Sequence, residues 1–144
     1  MRTPEETVSE FFRVVRSGDR PELAREYLAP AVLAHQVRAD SPDTIQRDPD
    51  GYTEHVRDMV ATYGPFSLTI DEFIADGDKV YVRWTQTGWH RAPVDGFAPT
   101  GRPLRTVASA VYRVTGGMIT EYWMQQEDSG LRAQLLAHRD EPGV

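Results

Sequence analysis

The stretch MITEYWMQQE, Met118 to Glu127, has the β-branched and aromatic content of a strand and ends on a carboxylate. Alternate side chains of a strand share a face, which puts Ile119, Glu121, Trp123, Gln125 and Glu127 on one side. Large apolar groups deep in a strand and polar ones toward its end describe a pocket with a wet mouth. Gly116-Gly117 just before it is a tight turn, and Leu104 to Thr115 reads as the strand on the other side of that turn. Further upstream, Lys79 to Trp89 is a long strand with Val80, Val82, Trp84 and Gln86 on one face. Asp76-Gly77-Asp78 signals a hairpin back to a strand at Phe66 to Ile70, where apolar and polar residues alternate. His90 to Arg102, punctuated by Ala98-Pro99-Thr100-Gly101, reads as a wide connection.

The first half of the chain has a different period. Thr3 can cap a helix with Pro4 at its first position and Glu6 at capping-box spacing, and Val8, Phe11, Phe12 and Val15 give it one apolar face. Ser17-Gly18-Asp19 stops it, a short helix follows from Pro21 and ends at Pro30, and Ala31 to Val37 looks extended. Arg38 to Pro49 is polar and reads as a loop or lid, and Gly51 to Tyr63 is helical, closed by Gly64-Pro65. Helices followed by hairpin-linked strands specify an α+β fold: a cone-shaped, curved antiparallel sheet wrapped on N-terminal helices, with a pocket at its open end. Residues 1–144 are expected to form one domain.

Composition narrows the function classes. The chain has no cysteine, so disulfides, thiolate metal sites and cysteine nucleophiles are excluded. A net charge of −6 with no basic block argues against nucleic-acid binding. No apolar run reaches the roughly 20 residues of a membrane span, and the N-terminus lacks a leader pattern, so a cytoplasmic protein is expected. No G-x-S-x-G elbow and no glycine-rich phosphate loop before a helix is present.

The chemistry-bearing candidates gather at strand ends. Glu127 and Asp128 are adjacent carboxylates where the last strand meets a closing helix. Asp128 is expected to cap that helix and also stands among the candidate substrate-binding residues, while Glu127 is expected to face the pocket as a general acid or base. A one-residue bulge would exchange the two. His35 and His90 are candidate proton-transfer partners, with a satisfied structural histidine as the alternative for each. Gln86 and Gln125 would hydrogen-bond a ligand, and Trp84 and Trp123 would hold its apolar body. His55, among polar neighbours, reads as a surface residue, and His138 as a cation near a helix C-terminus. No helical histidine pair supports a metal, so no metal and no cofactor are expected.

Several short motifs together resemble the SnoaL-like polyketide cyclase family of the nuclear transport factor two superfamily. They are Asp78-Lys79-Val80 through Arg83-Trp84, Gly88-Trp89-His90, Pro99-Thr100-Gly101, Tyr112-Arg113, Gly117-Met118-Ile119 and Glu121-Tyr122-Trp123. Tyr27-Leu28-Ala29-Pro30 with His35, and Gly130-Leu131 with Gln134-Leu135, extend the similarity over nearly the whole chain. The resemblance implies a cone-shaped α+β barrel, a homodimer packed through the outer face of the sheet, and cofactor-free closure of a polyketide ring. It also implies an acid/base carboxylate four residues after the last-strand tryptophan, a position held here by Glu127 where the family has aspartate. Trp89 replaces the family's tyrosine or threonine before the strand-end histidine. The expected function is that of a cyclase or isomerase acting on a polyketide-like or polycyclic molecule. A non-catalytic binder, an epoxide-opening enzyme and a protein–protein adaptor of the same fold are the alternatives.

Overall fold

The computed structural model describes residues 1–141. Helix α1, Pro4–Phe11, starts at the expected box: the Glu6 amide donates to Thr3 Oγ1 at 3.1 Å, and the Thr3 amide donates to Glu6 Oε1 at 3.0 Å. It runs into a wider turn, Phe12–Arg16, in which the Ser17 amide bonds the Phe12 carbonyl, five residues back. Widening rotates the residues that follow, and Val14, Val15 and Arg16 are all buried in succession. A tight 3₁₀ segment, Pro21–Glu26, then leads to strand β1, Leu28–Gln36. Pro30 therefore lies inside a strand rather than ending a helix, within the span where the β1 register shifts. The stretch expected to be a loop contains strand β2, Asp43–Arg47, paired antiparallel with β1. Its pattern, Asp-Thr-Ile-Gln-Arg, is too polar to announce an edge strand.

Helix α2, Pro49–Tyr63, carries the chain from that edge to the opposite one, where β3, Ser67–Asp76, begins. Strands β4, Lys79–Trp89, β5, Pro103–Thr115, and β6, Met118–Gln126, follow as antiparallel neighbours. Helix α3, Asp128–Asp140, packs on β5. The strand order is β2-β1-β6-β5-β4-β3, and β1 runs parallel to β6. The fold is α+β with one curved, open, mixed sheet, as expected in class and antiparallel except at that one pair. Parallel pairing requires a long crossover, and here the helix and strands between β1 and β6 provide it. Register shifts in β1–β6, β3–β4 and β5–β6 add the twist that curves the sheet.

The concave face is closed by α1, the wide turn and α2. Phe11, Phe12, Tyr52, Trp84, Tyr112 and Tyr122 form a contiguous aromatic layer there, with ring centroids 5.1–5.8 Å apart along its chain of contacts. A second, smaller core unites Val94, Leu104, Leu131 and Leu135 beneath α3. Gly88 marks the tightest approach of helix to sheet. A Cβ there would lie 2.6 Å from the Tyr63 carbonyl, so only glycine lets the end of α2 meet β4.

Candidate active site

The parity read for β4 holds. Val80, Val82, Trp84 and Gln86 all point into the concave face and are buried. The alternation continues past the strand, because the His90 amide bonds the Arg102 carbonyl and the Gly101 amide bonds the His90 carbonyl. Trp89 accordingly faces out at 36% exposure, while His90 faces in at 1%. Both ring nitrogens of His90 and the Oε1 of Gln86 are buried without a hydrogen-bond partner among the described residues. Leaving such a group unpaired costs about 1–3 kcal/mol, so a folded protein rarely keeps several together without use for them.

The parity read for β6 does not survive. Arg113 pairs with Glu121 but Val114 pairs with Ile119, so Thr120 is an extra residue in β6. A one-residue bulge flips every later side chain. Ile119 stays inside, Tyr122 and Met124 take the inner positions, and Glu121, Trp123 and Gln125 pass to the convex face. Trp123 and Gln125 are therefore not on the concave face. Glu127 is also displaced from its expected role: it is the N-cap of α3, its carboxylate accepting from the Gly130 amide at 2.5 Å. Asp128, expected to cap, is instead the first helical residue and is exposed, 3.9 Å from Arg38. Glu127 takes the capping role expected of Asp128, and neither carboxylate points into the interior.

His35 also lies on the convex face, because β1 pairs His35 with Trp123 and Thr44. Its ring stacks on Trp123 at 5.2 Å, and its Nδ1 lies 2.8 Å from Thr44 Oγ1. Its Nε2 lies 2.6 Å from Glu121, which accepts a second bond from Arg113 at 2.8 Å. Every polar atom of that histidine has a partner. Of the residues expected at the site, the concave face brings together Trp84, Gln86 and His90.

Other interior groups escaped the sequence reading. Arg16 is 7% exposed, with its guanidinium 5.6 Å from the ring centroids of both Phe66 and Trp84. Its spacing of four from Phe12 was the available signal, since both fall on one helical face. Arg47 pairs with Val32, whose side chain is inward, and so reaches the same face, where it hydrogen-bonds Tyr122. Burial pushes the phenols of Tyr52, Tyr112 and Tyr122 upward, leaving them neutral hydrogen-bonding groups at ordinary pH. His55 is half-buried against Tyr52 rather than on the surface. Burial first, then the charges of Arg47 and Arg16, pull it down to about 4. No aspartate or glutamate is buried among the described residues. Nor do histidine, aspartate and glutamate among them form a group able to hold a metal ion.

Two clefts open away from this face. One of about 770 Å³ lies between residues 95–102 and α3, and a shallow one of about 200 Å³ lies beside Arg83, Gln125 and Glu127. No helix among the described residues is long and apolar enough to cross a membrane.

This geometry matches a known pattern. The family model for SnoaL-like polyketide cyclase aligns with residues 6–135. The chain belongs to that family. Among solved structures of similar shape is a provisionally assigned polyketide cyclase from Acidithiobacillus ferrooxidans. It is 26% identical, with a TM-score of 0.80, over 96% of this chain and 98% of that one. IdmH from Streptomyces antibioticus, also provisionally assigned as a polyketide cyclase, is 28% identical with a TM-score of 0.75, over 93% and 99% of the two chains. An NTF2-like protein from Burkholderia thailandensis shares the fold at 22% identity and a TM-score of 0.72, over 99% and 100%. No curated protein matches the chain. In this member of the SnoaL-like family the buried polar groups of the concave face include Gln86 of β4, His90 just after it and Arg16 at the end of the wide turn, and the last strand contributes Tyr122.

Proposed function

We propose that this chain is a cofactor-independent cyclase or isomerase acting on a polyketide-like or polycyclic carbonyl compound bound against the concave face. The observation that carries the reading is His90, buried with both ring nitrogens unpartnered on the same face as Gln86 and Trp84. A neutral imidazole nitrogen takes a proton from the carbon beside a carbonyl, and the electron pair moves onto the carbonyl oxygen. The Gln86 amide, turned to present its NH₂, donates to that oxygen, and the proton returns to carbon in the isomer or ring-closed product. Trp84 supplies the apolar wall. The protein is read as cytoplasmic and as a homodimer packed through the convex face, where Leu33, Ile74 and Val107 are exposed.

A second reading, binding without turnover, is favoured by the lack of any buried carboxylate among the described residues. The same observation disfavours epoxide opening, which calls for carboxylates around a reacting water. The two readings separate with 2-tetralone, a bicyclic ketone whose α-protons exchange measurably in D₂O. The wild-type protein should accelerate that exchange in ¹H NMR, and His90→Gln should lower the acceleration by about 10²–10⁴-fold. His35→Gln on the convex face should leave it within twofold. Unchanged exchange in His90→Gln would remove the proton-transfer role, and no acceleration in the wild type would leave the binder.

A further inference from the structure

Arg16 and Arg47 are not used by this proton transfer. Arg16 sits at the end of the widened turn after α1, more than nine-tenths buried, with its Nη1 unpartnered among the described residues. Arg47 comes from β2 on the other side of the same interior, with its Nε buried and unpartnered. Arg47 hydrogen-bonds Tyr122, and the ring contacts Tyr122–Tyr112, Tyr112–Phe12 and Phe12–Trp84 lead to the ring beneath Arg16, so both cations border the same aromatic layer. The chain has 22 acidic residues, yet none among the described residues lies within ion-pair distance of either arginine. Packing over Phe66 and Trp84 stabilises a cation less than the loss of its hydration destabilises it when no anion is paired with it. The imbalance calls for an anion that is not part of this chain.

We infer that the concave site takes a carboxylate-bearing aromatic or polycyclic small molecule, its carboxylate held by Arg16 with Arg47 and its apolar body against Phe12, Phe66 and Trp84. The guanidinium fork suits a planar carboxylate, and the aromatic layer beside it suits fused rings. The inference rests on the concave face being a ligand site, as the proposed function does, and it adds the charge of the ligand. It also fits His55, which burial and the charges of the two cations hold neutral, so that it does not add a third charge.

The test compares 2-naphthoate with its methyl ester by calorimetric and tryptophan-fluorescence titration of the intact protein. The wild type should bind the carboxylate at least tenfold more tightly than the ester. Arg16→Gln should abolish that preference, Arg16→Lys should keep part of it, and Arg47→Gln should reduce it. Thermal unfolding confirms that each variant is folded, and Arg47→Gln decides the matter if Arg16→Gln does not fold. Equal affinity for both probes, no binding of either, or an undiminished preference in folded Arg16→Gln or Arg47→Gln would overturn the inference. His90→Gln should leave the preference intact. Ketone exchange without carboxylate preference would thus sink only this inference, and carboxylate preference without exchange would sink only the catalytic reading.

Discussion

The two faces of the sheet carry similar residues and treat them in opposite ways. On the convex face, His35 stacks on Trp123 and is bonded to Thr44 and Glu121, and Arg113 completes the network at 2.8 Å from Glu121. On the concave face, His90, Gln86 and Arg16 are buried with polar atoms left unpartnered, and Arg16 lies 5.6 Å from the Trp84 ring. A histidine, an arginine and a tryptophan make a satisfied structural cluster in one place and an unsatisfied one in the other. Residue type does not distinguish the two clusters, and hydrogen-bond saturation does.

The largest test of this contrast concerns the layer that holds the concave groups. Trp84→Ala removes a fully buried ring that touches Phe12 and lies under Arg16. It should cost about 3–5 kcal/mol in denaturant unfolding. Trp123→Ala, on the half-buried convex face, should cost much less, and equal losses would break the distinction between the faces.

The next effect is on pH dependence. His55 is held at about 4 by burial and by Arg47 and Arg16, against an ordinary value of 6.5. Between those values the unfolded chain takes up a proton that the folded chain refuses. Stability is therefore full above about pH 6.5 and falls as pH drops toward 4, by at most about 3 kcal/mol. The measurement is the urea midpoint across that window, and His55→Gln should flatten the curve. If the slope is unchanged in the variant, the charge environment assigned to this interior is wrong.

The smallest effect separates the two carboxylates at the end of β6. Glu127→Ala removes the side-chain cap of α3 and should cost about 1 kcal/mol. Asp128→Ala loses only a favourable charge in the first turn, about 0.3–1 kcal/mol at low salt. Both should leave ketone exchange unaltered. A large loss of exchange in Glu127→Ala would return that residue to the chemistry.

Much of this was legible in the sequence. The box at Thr3 and Glu6, the apolar face of α1, the β3–β4 and β5–β6 turns, and the inward parity of Trp84 and Gln86 all follow from local periodicity and turn chemistry. His90 was legible as a candidate too, because β4 runs unbroken from Val80 to Trp89 and alternation carries past its end. The polar edge strand β2 was not legible, since its formation depends on pairing with β1.

What the sequence determined by itself was the α+β class, the helix-first order and the inward face of β4, because each depends on a period set within one element. What only the tertiary structure decided was the fate of the last strand. The extra residue at Thr120 is defined by pairing with β5, and it sent Trp123 and Gln125 to the convex face and left Glu127 to cap α3. Tertiary structure also set Arg16 and Arg47, 31 residues apart in the chain, against the same aromatic layer. A bulge and a charge left unpaired are relations between elements, and a one-dimensional period contains neither.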